Sequence, residues 1–344
     1  MHMSDALITP VVGGVMWGAT AVTATYCAKK VREDLDESKI PLMGVAGAFI
    51  FASQMLNFTI PGTGSSGHLG GGLILAALLG PYAAFLVMAS VLTVQALFFA
   101  DGGLLALGAN IFNLGFFPAF IAFPFVYRRI VGSNPTMPRI VTGSIVGAVV
   151  GLLLGALGVV AETALSGVSE LPFSTFLAMM LPIHLAIGVV EGLVTAAVVA
   201  FVYSAQPEIL TRTSRGSLRG LNLRPVLVGL LVAALLSGVA FAWFASANPD
   251  GLEWSIARVT GAEEIEGASA GLHDSLASVQ EKTSFLPDYA FPAAEGAAEE
   301  DAAWPAVDAG TSTSGVVGAG LTLGLAAVIG VLLRRRSVRR PDRA

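Results

Sequence analysis

The chain has 344 residues, of which 54% are hydrophobic and only 12% are charged, and its mean hydropathy is +0.75. A soluble domain carries roughly twice that charged fraction, so the composition excludes an ordinary soluble protein and indicates an integral membrane protein. The net charge is −5, and the single cysteine, Cys27, excludes an internal disulfide and a cysteine-based metal cluster.

Apolar segments of about 20 residues predict membrane helices. In chain order we expect spans near residues 8–28, 41–60, 82–100, 104–127, 139–162, 173–204, 224–245 and 315–333. A shorter apolar stretch from His68 is expected to enter from one face and turn at Gly80-Pro81, and Pro182 is expected to kink or start its helix. The predicted fold class is an all-α membrane bundle of about nine helices.

The basic residues predict the orientation of this bundle, because cytoplasmic loops are enriched in Lys and Arg. Of the 19 cations, 17 fall on one predicted side, in residues 29–39, 128–139, 212–224 and 334–343. We therefore expect a plasma-membrane protein with its N-terminus outside and its C-terminus in the cytoplasm. No basic segment precedes the first apolar run, so a retained N-terminus is expected.

A polar segment, residues 246–314, contains 13 of the 24 acidic residues and only two cations, Arg258 and Lys282. We name it the acidic loop and expect most of it to be a flexible, solvated loop on the outer side. It divides the chain into a bundle over 1–205, a basic linker over 206–223, and a two-helix module over 224–344.

The chain begins MHMSDALITP, which places a histidine at position two. The Met1 amine, the His2 amide nitrogen and His2 Nδ1 can bind one ion by closing a five- and a six-membered chelate ring. The amide must lose its proton, which requires a strongly binding metal. Planar nitrogen donors suit Ni(II) or Cu(II), with Co(II) close in affinity. A histidine at position two can equally arise by chance.

A second imidazole would complete a planar site, and His68 is the best candidate because its loop, PGTGSSGH, is predicted on the same face as the N-terminus. We expect Ser65 and Ser66 to bind an imidazole and fix its tautomer. The same sequence is also a good helix cap. His273 lies in the acidic loop and is the weakest candidate.

Several polar residues inside predicted spans are candidates for support or coupling, since such residues are costly in lipid. His184 and Glu191 lie two helical turns apart, and we expect them to pack beneath the site or to move with it more than to bind the metal directly. The alternative is a buried pair satisfied by hydroxyls such as that of Thr195, or by backbone groups. Asn110 and Asn113 are expected to hold the His68 loop or to bond a neighbouring helix. Glycines at 143, 147, 151 and 155 predict close helix packing.

The sequence offers no other chemistry. It contains neither a GxxxxGK[ST] motif for ATP nor a nucleophile elbow. An intramembrane hydrolase would need a nucleophile and base, and no credible pair is present. We expect no catalytic residues, no prosthetic group and no nucleic-acid partner, so any ATPase must be another polypeptide.

These residues resemble a known family. The segments MHMSDALITP, PGTGSSGHLGGGL, DGGLLALGANIFN and HLAIGVVEGLVT, within residues 1–205, resemble the M subunits of energy-coupling-factor cobalt/nickel transporters, the CbiM/NikM type. The resemblance implies a metal site made by Met1, His2 and His68, and a link to cobalamin biosynthesis. The family usually reads MHI-x-[DE]-G, from which Met3 and Ala6 depart.

The segment NPDGLEWSIA resembles the PDGLE segment of the N subunits of the same transporters, over residues 224–344. The motif comprises Pro249, Asp250, Gly251, Leu252 and Glu253. Asp250 and Glu253 are expected to attract cations, although a helix cap is the simpler role for Asp250.

The two resemblances together imply a fused M–N protein that captures Co(II) or Ni(II) outside the cell. They also imply two kinds of partner, a transmembrane coupling (Q/T-type) subunit and cytoplasmic ATPases. A membrane sensor or assembly protein that binds metal without transporting it is the alternative.

Overall fold

A computed structural model describes residues 2–34, 37–168, 170–212, 218–265, 271–292 and 304–337. We call the described residues up to 212 the N-terminal part and those from 218 the C-terminal part. The N-terminal part contains a 3-10 turn (Asp5–Leu7), α1 (Pro10–Asp34), α2 (Lys39–Gln54), β1 (Phe58–Ile60), β2 (Ser65–Gly67), α3 (Gly72–Leu79), α4 (Pro81–Phe98), α5 (Leu107–Ile111), a π-helical segment (Phe112–Tyr127), α6 (Arg128–Val131), α7 (Met137–Leu165), α8 (Phe173–Ala205) and α9 (Glu208–Arg212).

The C-terminal part contains α10 (Arg224–Val239), α11 (Gly251–Thr260), α12 (Leu272–Thr283) and α13 (Ala309–Ser337), with 3-10 turns at Phe241–Phe244 and Pro287–Tyr289. The described residues include six helices long and apolar enough to cross a membrane. Helices α2 and α10 are apolar but have only 16 residues each, fewer than the ~20 of a full span. The all-α membrane fold is confirmed, and the number nine stays a prediction.

Two expected spans are shorter than the sequence indicated. The span expected over 41–60 ends at Gln54, because the chain leaves the helix and forms β1. The span expected over 224–245 ends at Val239 and continues as a 3-10 turn. Pro182 does not start its helix, since α8 begins at Phe173 and runs through it. The turn at Gly80-Pro81 is confirmed, with Gly80 at φ +82°.

α5, the π-helical segment and α6 form one continuous helix, which we call the rod. Most of the rod is π-helical, and Pro118 and Pro124 lie inside that segment. Proline cannot donate to the helical ladder, and its ring clashes with the carbonyl four residues earlier. Wider i→i+5 bonding is one way in which a helix relieves such a clash. The rod therefore stays continuous across two prolines in a setting where free backbone groups are costly.

The glycines of α7 let neighbouring elements approach closely, as predicted. A Cβ on Gly147 would lie 2.9 Å from Leu73, and one on Gly151 would lie 3.3 Å from Pro118. Small residues commonly form such interfaces between membrane helices, where packing replaces the hydrophobic effect. This face of α7 belongs to the inside of the bundle.

The two long helices of the C-terminal part pack against α2 and against each other. Gly318 in α13 lies directly on the ring of Phe51 in α2, and Gly238 in α10 lies on Gly315 in α13. Gly44 in α2 approaches Leu323, whose carbonyl would lie 3.1 Å from an added Cβ. The N-terminal and C-terminal parts therefore share an interface along the length of α2.

In its described residues the acidic loop is more ordered than its composition indicates, and of α11 and α12 only α12 has no buried residue. Its described residues form α11 and α12, and Leu252, Ile256 and Leu286 are buried. The mean hydropathy of the loop does not predict this packing, because only a few apolar residues, spaced to face the N-terminal part, are responsible for it. Met1, Ser169, residues 213–217, 266–270, 293–303 and the arginines after 337 lie outside the described residues.

The contact between α2 and α13 predicts a stability effect. We expect Gly318→Leu to lower the thermal unfolding midpoint in detergent, because the new side chain has to displace the fully buried Phe51. Overpacking of this kind typically costs about 1–3 kcal/mol. Gly320→Leu on the same helix is the control, because a Cβ there meets no atom within 4 Å. Equal midpoints for the two variants would contradict this packing.

Candidate metal site

The start of the chain is fastened to the bundle by a two-way contact. The Met3 amide donates to Asn110 Oδ1 at 2.8 Å, and Asn110 Nδ2 donates to the Met3 carbonyl at 3.1 Å. The same carbonyl accepts from the Gly103 amide at 2.9 Å. Because Met3 is fully buried, His2 is held against the turn that follows α4.

His68 is positioned by the β1–β2 hairpin. Gly62 and Gly64 lie in the hairpin turn at φ +78° and +74°, a region that glycine adopts without steric cost. The hairpin rests on α8, where a Cβ on Gly67 would lie 2.5 Å from Ile187. His68 follows directly, so the hairpin and α8 together set its position.

A buried carboxylate fixes the backbone after His68. The amides of Gly70 and Gly71 donate to the two carboxylate oxygens of Glu191, each at 3.0 Å. The Gly70 carbonyl accepts from Gln54 Nε2 at 2.9 Å. Glu191 therefore satisfies backbone donors of a non-helical segment, as membrane-buried backbone requires, and holds the loop that carries His68.

The structure brings His2 and His68 together, although they are far apart in sequence. Their rings stack with centroids 4.9 Å apart and planes 18° from parallel. His68 Nδ1 lies 3.1 Å from the Leu69 carbonyl. His2 Nδ1 lies 2.7 Å from Asp101 Oδ1, and His2 Nε2 is buried without a hydrogen-bond partner among the described residues. The Nδ1 expected to chelate a metal is thus occupied by Asp101 in this conformation.

The PDGLE motif lies directly over His68. Asp250 begins α11 as its N-cap and accepts from the amides of Leu252 at 2.7 Å and Glu253 at 3.0 Å. Glu253 accepts from the Asp250 amide at 2.8 Å, which completes a capping box. The other Asp250 oxygen lies 3.6 Å from His68 Nε2. Asp250 therefore caps the helix, as expected, and also faces the histidine.

Ser65 and Ser66 join the hairpin to the C-terminal part. The Ser66 amide donates to the Pro249 carbonyl at 2.7 Å, and its hydroxyl donates to the Asn248 carbonyl at 2.8 Å. The Ser65 hydroxyl donates to the Ser66 carbonyl at 3.0 Å. In this structure both hydroxyls donate to backbone carbonyls, and the expectation that they bind an imidazole stays a prediction.

The close contacts around Gly251 explain why the motif has a glycine at this position. A Cβ there would lie 2.8 Å from Ile187 and 3.1 Å from the ring of His184. His184 is 1% exposed, and its Nδ1 lies 2.8 Å from the Met180 carbonyl of its own helix. The structure thus places His184 beneath the motif and next to the loop that Glu191 holds.

The two asparagines have different partners. Asn110 binds Met3, as described above, and not the His68 loop. Asn113 donates to Glu162 of α7 at 2.8 Å, which is the neighbouring-helix alternative. Both side chains are about 2% exposed, so each satisfies buried polar groups inside the bundle.

Two residues beside His2 are not among the candidates that the sequence predicts. Asp101, the first residue of DGGLLALGANIFN, binds His2 with one carboxylate oxygen and accepts the hydroxyl of Tyr289 with the other. The position of Asp101 at the end of a predicted span was an available signal. Tyr289 lies in the acidic loop, and nothing in its local sequence pointed to it.

Burial and neighbouring groups set the protonation of this cluster. Burial lowers the pKa of His68, which favours the neutral ring that a metal requires. Burial alone would raise the pKa of Asp101, but its interactions with His2, Tyr289 and His68 together outweigh burial and hold the pKa below its ordinary value. Burial and the adjacent Asp101 raise the pKa of Tyr289 well above its ordinary value, so its hydroxyl keeps the proton that it donates.

His2 and His68 open onto a cavity of about 620 Å³. Among the described residues that line it there is no Lys or Arg. A cleft lined by one sign of charge raises the local concentration of the opposite ion, so this cavity attracts cations. Its ionisable lining residues are His2, Asp5, His68, Asp101, Asp250, Glu253, Glu264, His273, Asp274, Asp288 and Tyr289.

Comparison with known proteins finds relatives of both parts of the chain. Residues 2–209 match the CbiM family, "Cobalt uptake substrate-specific transmembrane region", and residues 224–335 match the PDGLE domain. A "Putative fused nickel transport protein NikMN" from Archaeoglobus fulgidus is 32% identical, over 94% of this chain and 96% of the relative. A "Fused nickel transport protein NikMN" from Rhodobacter capsulatus is 31% identical, over 84% and 88%.

A crystal structure described as a transition metal transporter is similar in fold, with a TM-score of 0.54 and 32% identity. The match covers 64% of this chain and 100% of that one. These relatives are metal transport proteins and not enzymes. The chain is a multi-pass membrane protein whose CbiM region is followed by a PDGLE domain. It belongs to the CbiM family of cobalt- and nickel-uptake membrane proteins.

Proposed function

We propose that this chain is the substrate-capturing membrane subunit of an ATP-driven Co(II) or Ni(II) importer. The ion is bound at the extracytoplasmic face by the Met1 amine, the His2 amide and ring, and His68. The contact between the His2 and His68 rings, 4.9 Å apart at their centroids, is the observation that carries this proposal.

The donor set follows from what the site contains. Among the described residues, no group of three or more His, Cys, Asp or Glu side chains could hold a metal. A site at His2 and His68 therefore needs backbone or terminal nitrogens, which the chelate supplies. Four nitrogens in a plane suit Ni(II) and are compatible with Co(II), and this set does not select between the two ions.

Metal binding requires the His2 ring to change partner. Only Nδ1 can close a six-membered chelate ring with the His2 amide nitrogen, and Nδ1 now lies 2.7 Å from Asp101. Loading therefore exchanges the Asp101 carboxylate for the metal at Nδ1. The amide proton is released in the same process, since metal ligands bind in their deprotonated form.

We assign the metal-binding module to residues 1–205, a cytoplasmic linker to 206–223 and an N-type module to 224–344. In this arrangement the PDGLE motif covers the His68 hairpin, and the acidic cavity concentrates cations above the histidines. The basic residues support an N-terminus outside and a C-terminus in the cytoplasm. A coupling subunit and cytoplasmic ATPases, both separate proteins, supply the movement that releases the ion inward.

A sensor or assembly protein that binds metal without moving it is the second candidate. The same histidines would serve it, so binding alone does not separate the two functions. Uptake of radioactive nickel by cells that also express the coupling subunit and ATPases separates them. Uptake above that of cells lacking this chain supports transport, whereas binding without uptake supports the alternative.

We expect His2→Ala and His68→Ala each to lower Ni(II) affinity by more than about 100-fold, measured by equilibrium dialysis of the purified protein. Loss of a residue that only orients a ligand already costs about 10–100-fold. His273→Ala is the matched control, because His273 lines the same cavity but is not assigned as a ligand. Wild-type affinity in the first two variants would refute the site.

The terminal amine gives an independent test. We expect a two-residue extension before Met1 to remove the absorption band of planar Ni(II), because the amine then lies too far from His2 to close the five-membered ring. The same extension added at the C-terminus is the control. An unchanged band in the N-terminally extended protein, with its sequence verified by mass spectrometry, would exclude the amine as a donor.

Docking of the PDGLE motif is tested at Gly251. We expect Gly251→Val to reduce metal uptake, because the new side chain meets Ile187 and His184 and pushes Asp250 away from His68. Overpacking by about 1–3 kcal/mol would weaken docking roughly fivefold to more than a hundredfold. Ala262→Val, at an exposed position of the same loop, is the control. Normal uptake with normal membrane insertion in Gly251→Val would show that docking is dispensable.

A further inference from the structure

The turn after α4 carries a carboxylate that is held from two directions. Asp101 binds His2 through one oxygen and Tyr289 through the other. The preceding residue, Ala100, has φ +56°, an uncommon conformation for a residue other than glycine. Such a conformation persists only where the surrounding contacts determine it, and Asp101 lies at the centre of those contacts.

Tyr289 reaches this carboxylate from the acidic loop in a strained conformation of its own. Asp288 and Tyr289 have φ values of +51° and +61°. The Asp288 amide donates to the Phe99 carbonyl at 2.9 Å, and the Tyr289 ring stacks on Phe99 with centroids 5.0 Å apart. The segment is thus bound to the turn by its backbone and its ring, which leaves the hydroxyl pointed at Asp101.

A second contact fastens the acidic loop on the other side of the same turn. Gln280 Nε2 lies 2.9 Å from the Ala96 carbonyl and 2.7 Å from the Gly102 carbonyl, and it donates to both. Gln280 and Tyr289 therefore bracket Asp101. The described part of the loop between them belongs to α12 and the turn that follows it.

We propose that Asp101 is a positioning residue for the His2 imidazole, and that Tyr289 acts on His2 only through Asp101. The proposal rests on the proposed function, in which His2 binds the metal. In this structure Nδ1 carries the proton that it donates to Asp101, so loading requires that proton to leave for solvent and the ring to carry its N–H on Nε2. A half-turn about Cβ–Cγ, which exchanges Nδ1 with Cδ2 and Cε1 with Nε2, then frees Nδ1 for the metal and moves the Nε2 N–H toward Asp101. The carboxylate then orients a ligand histidine from behind, as carboxylates commonly do. The acidic loop thereby sets the metal affinity of a site that it does not ligate.

The experiment is a double-mutant cycle on the purified full chain, with Ni(II) affinity as the readout. We expect Asp101→Ala to weaken binding about 10–100-fold. Tyr289→Phe removes one hydrogen bond and is expected to weaken binding less, about threefold to tenfold. Tyr289→Phe keeps the ring that stacks on Phe99. Tyr203→Phe is the matched control. It also removes a tyrosine hydroxyl that donates to a carbonyl, that of Pro135, but Tyr203 lies near the C-terminal end of α8 and does not line the cavity at His2.

The cycle tests whether Tyr289 acts through Asp101, and the absorption band of planar Ni(II) at saturation separates positioning from a purely structural role. Asp101→Ala shifts that band if the carboxylate orients the ligand ring, and an unchanged band at saturation would show that Asp101 only stabilises the fold. If Tyr289 acts through Asp101, Tyr289→Phe has no further effect in the Asp101→Ala background. The proposal is overturned if Tyr289→Phe leaves wild-type affinity unchanged, or if it has the same effect in both backgrounds. Cu(II), which such a site binds more tightly than Ni(II), extends the measurable range, and Asp101→Asn replaces Asp101→Ala where the alanine variant is poorly folded.

Failure of this inference is distinguishable from failure of the proposed function. If His2→Ala and His68→Ala bind Ni(II) as the wild type does, the metal site itself is wrong. If these two variants lose binding while the cycle is additive, the metal site stands and only the relay from Tyr289 is excluded.

Discussion

The site depends on one interaction, the pair of hydrogen bonds between the Met3 backbone and the Asn110 side chain. A chain terminus normally frays, because a few residues cannot offset the entropy lost on ordering them. Here the Asn110 side chain satisfies both backbone polar groups of the buried Met3. Either group would be costly if it were left unpaired in the interior. Because Met3 is fixed, the adjacent His2 is fixed as well, and it can contact His68, which lies more than 60 residues away in sequence.

The C-terminal part completes this arrangement with a motif whose residues have separate tasks. Asp250 and Glu253 cap α11, Gly251 permits contact with α8, and the Pro249 carbonyl accepts from the hairpin. None of these tasks requires a metal, and together they place a carboxylate beside His68. The motif is thus explained first as a docking element, and any influence on the proposed metal site would follow from where it docks.

Much of the fold could be predicted from sequence, because apolar length and proline or glycine punctuation are local signals. The turn at Gly80-Pro81 and the packing of Gly147 and Gly151 follow directly from such signals. The pairing of His2 with His68 rested on the predicted topology and the family resemblance. The order in the described part of the acidic loop could not be predicted, because its docking depends on partners distant in sequence. Tyr289 needs Phe99 and Asp101, and no pattern within the loop reveals either of them.

The two contacts of the acidic loop also constrain how metal binding and docking influence each other. Asp250, which belongs to the acidic loop, faces His68. Asp101, which contacts His2, is bound by Tyr289 of the same loop. The acidic loop therefore acts on both proposed ligand rings, on one directly and on the other through Asp101. A ligand can shift a conformational equilibrium only through its different affinity for the two states. If docking raises the affinity for metal, bound metal must strengthen docking by the same factor, because coupling free energies are reciprocal. An occupied site would therefore hold the loop more firmly than an empty one, and the proposed transport cycle would have to weaken both sets of contacts together to release the ion.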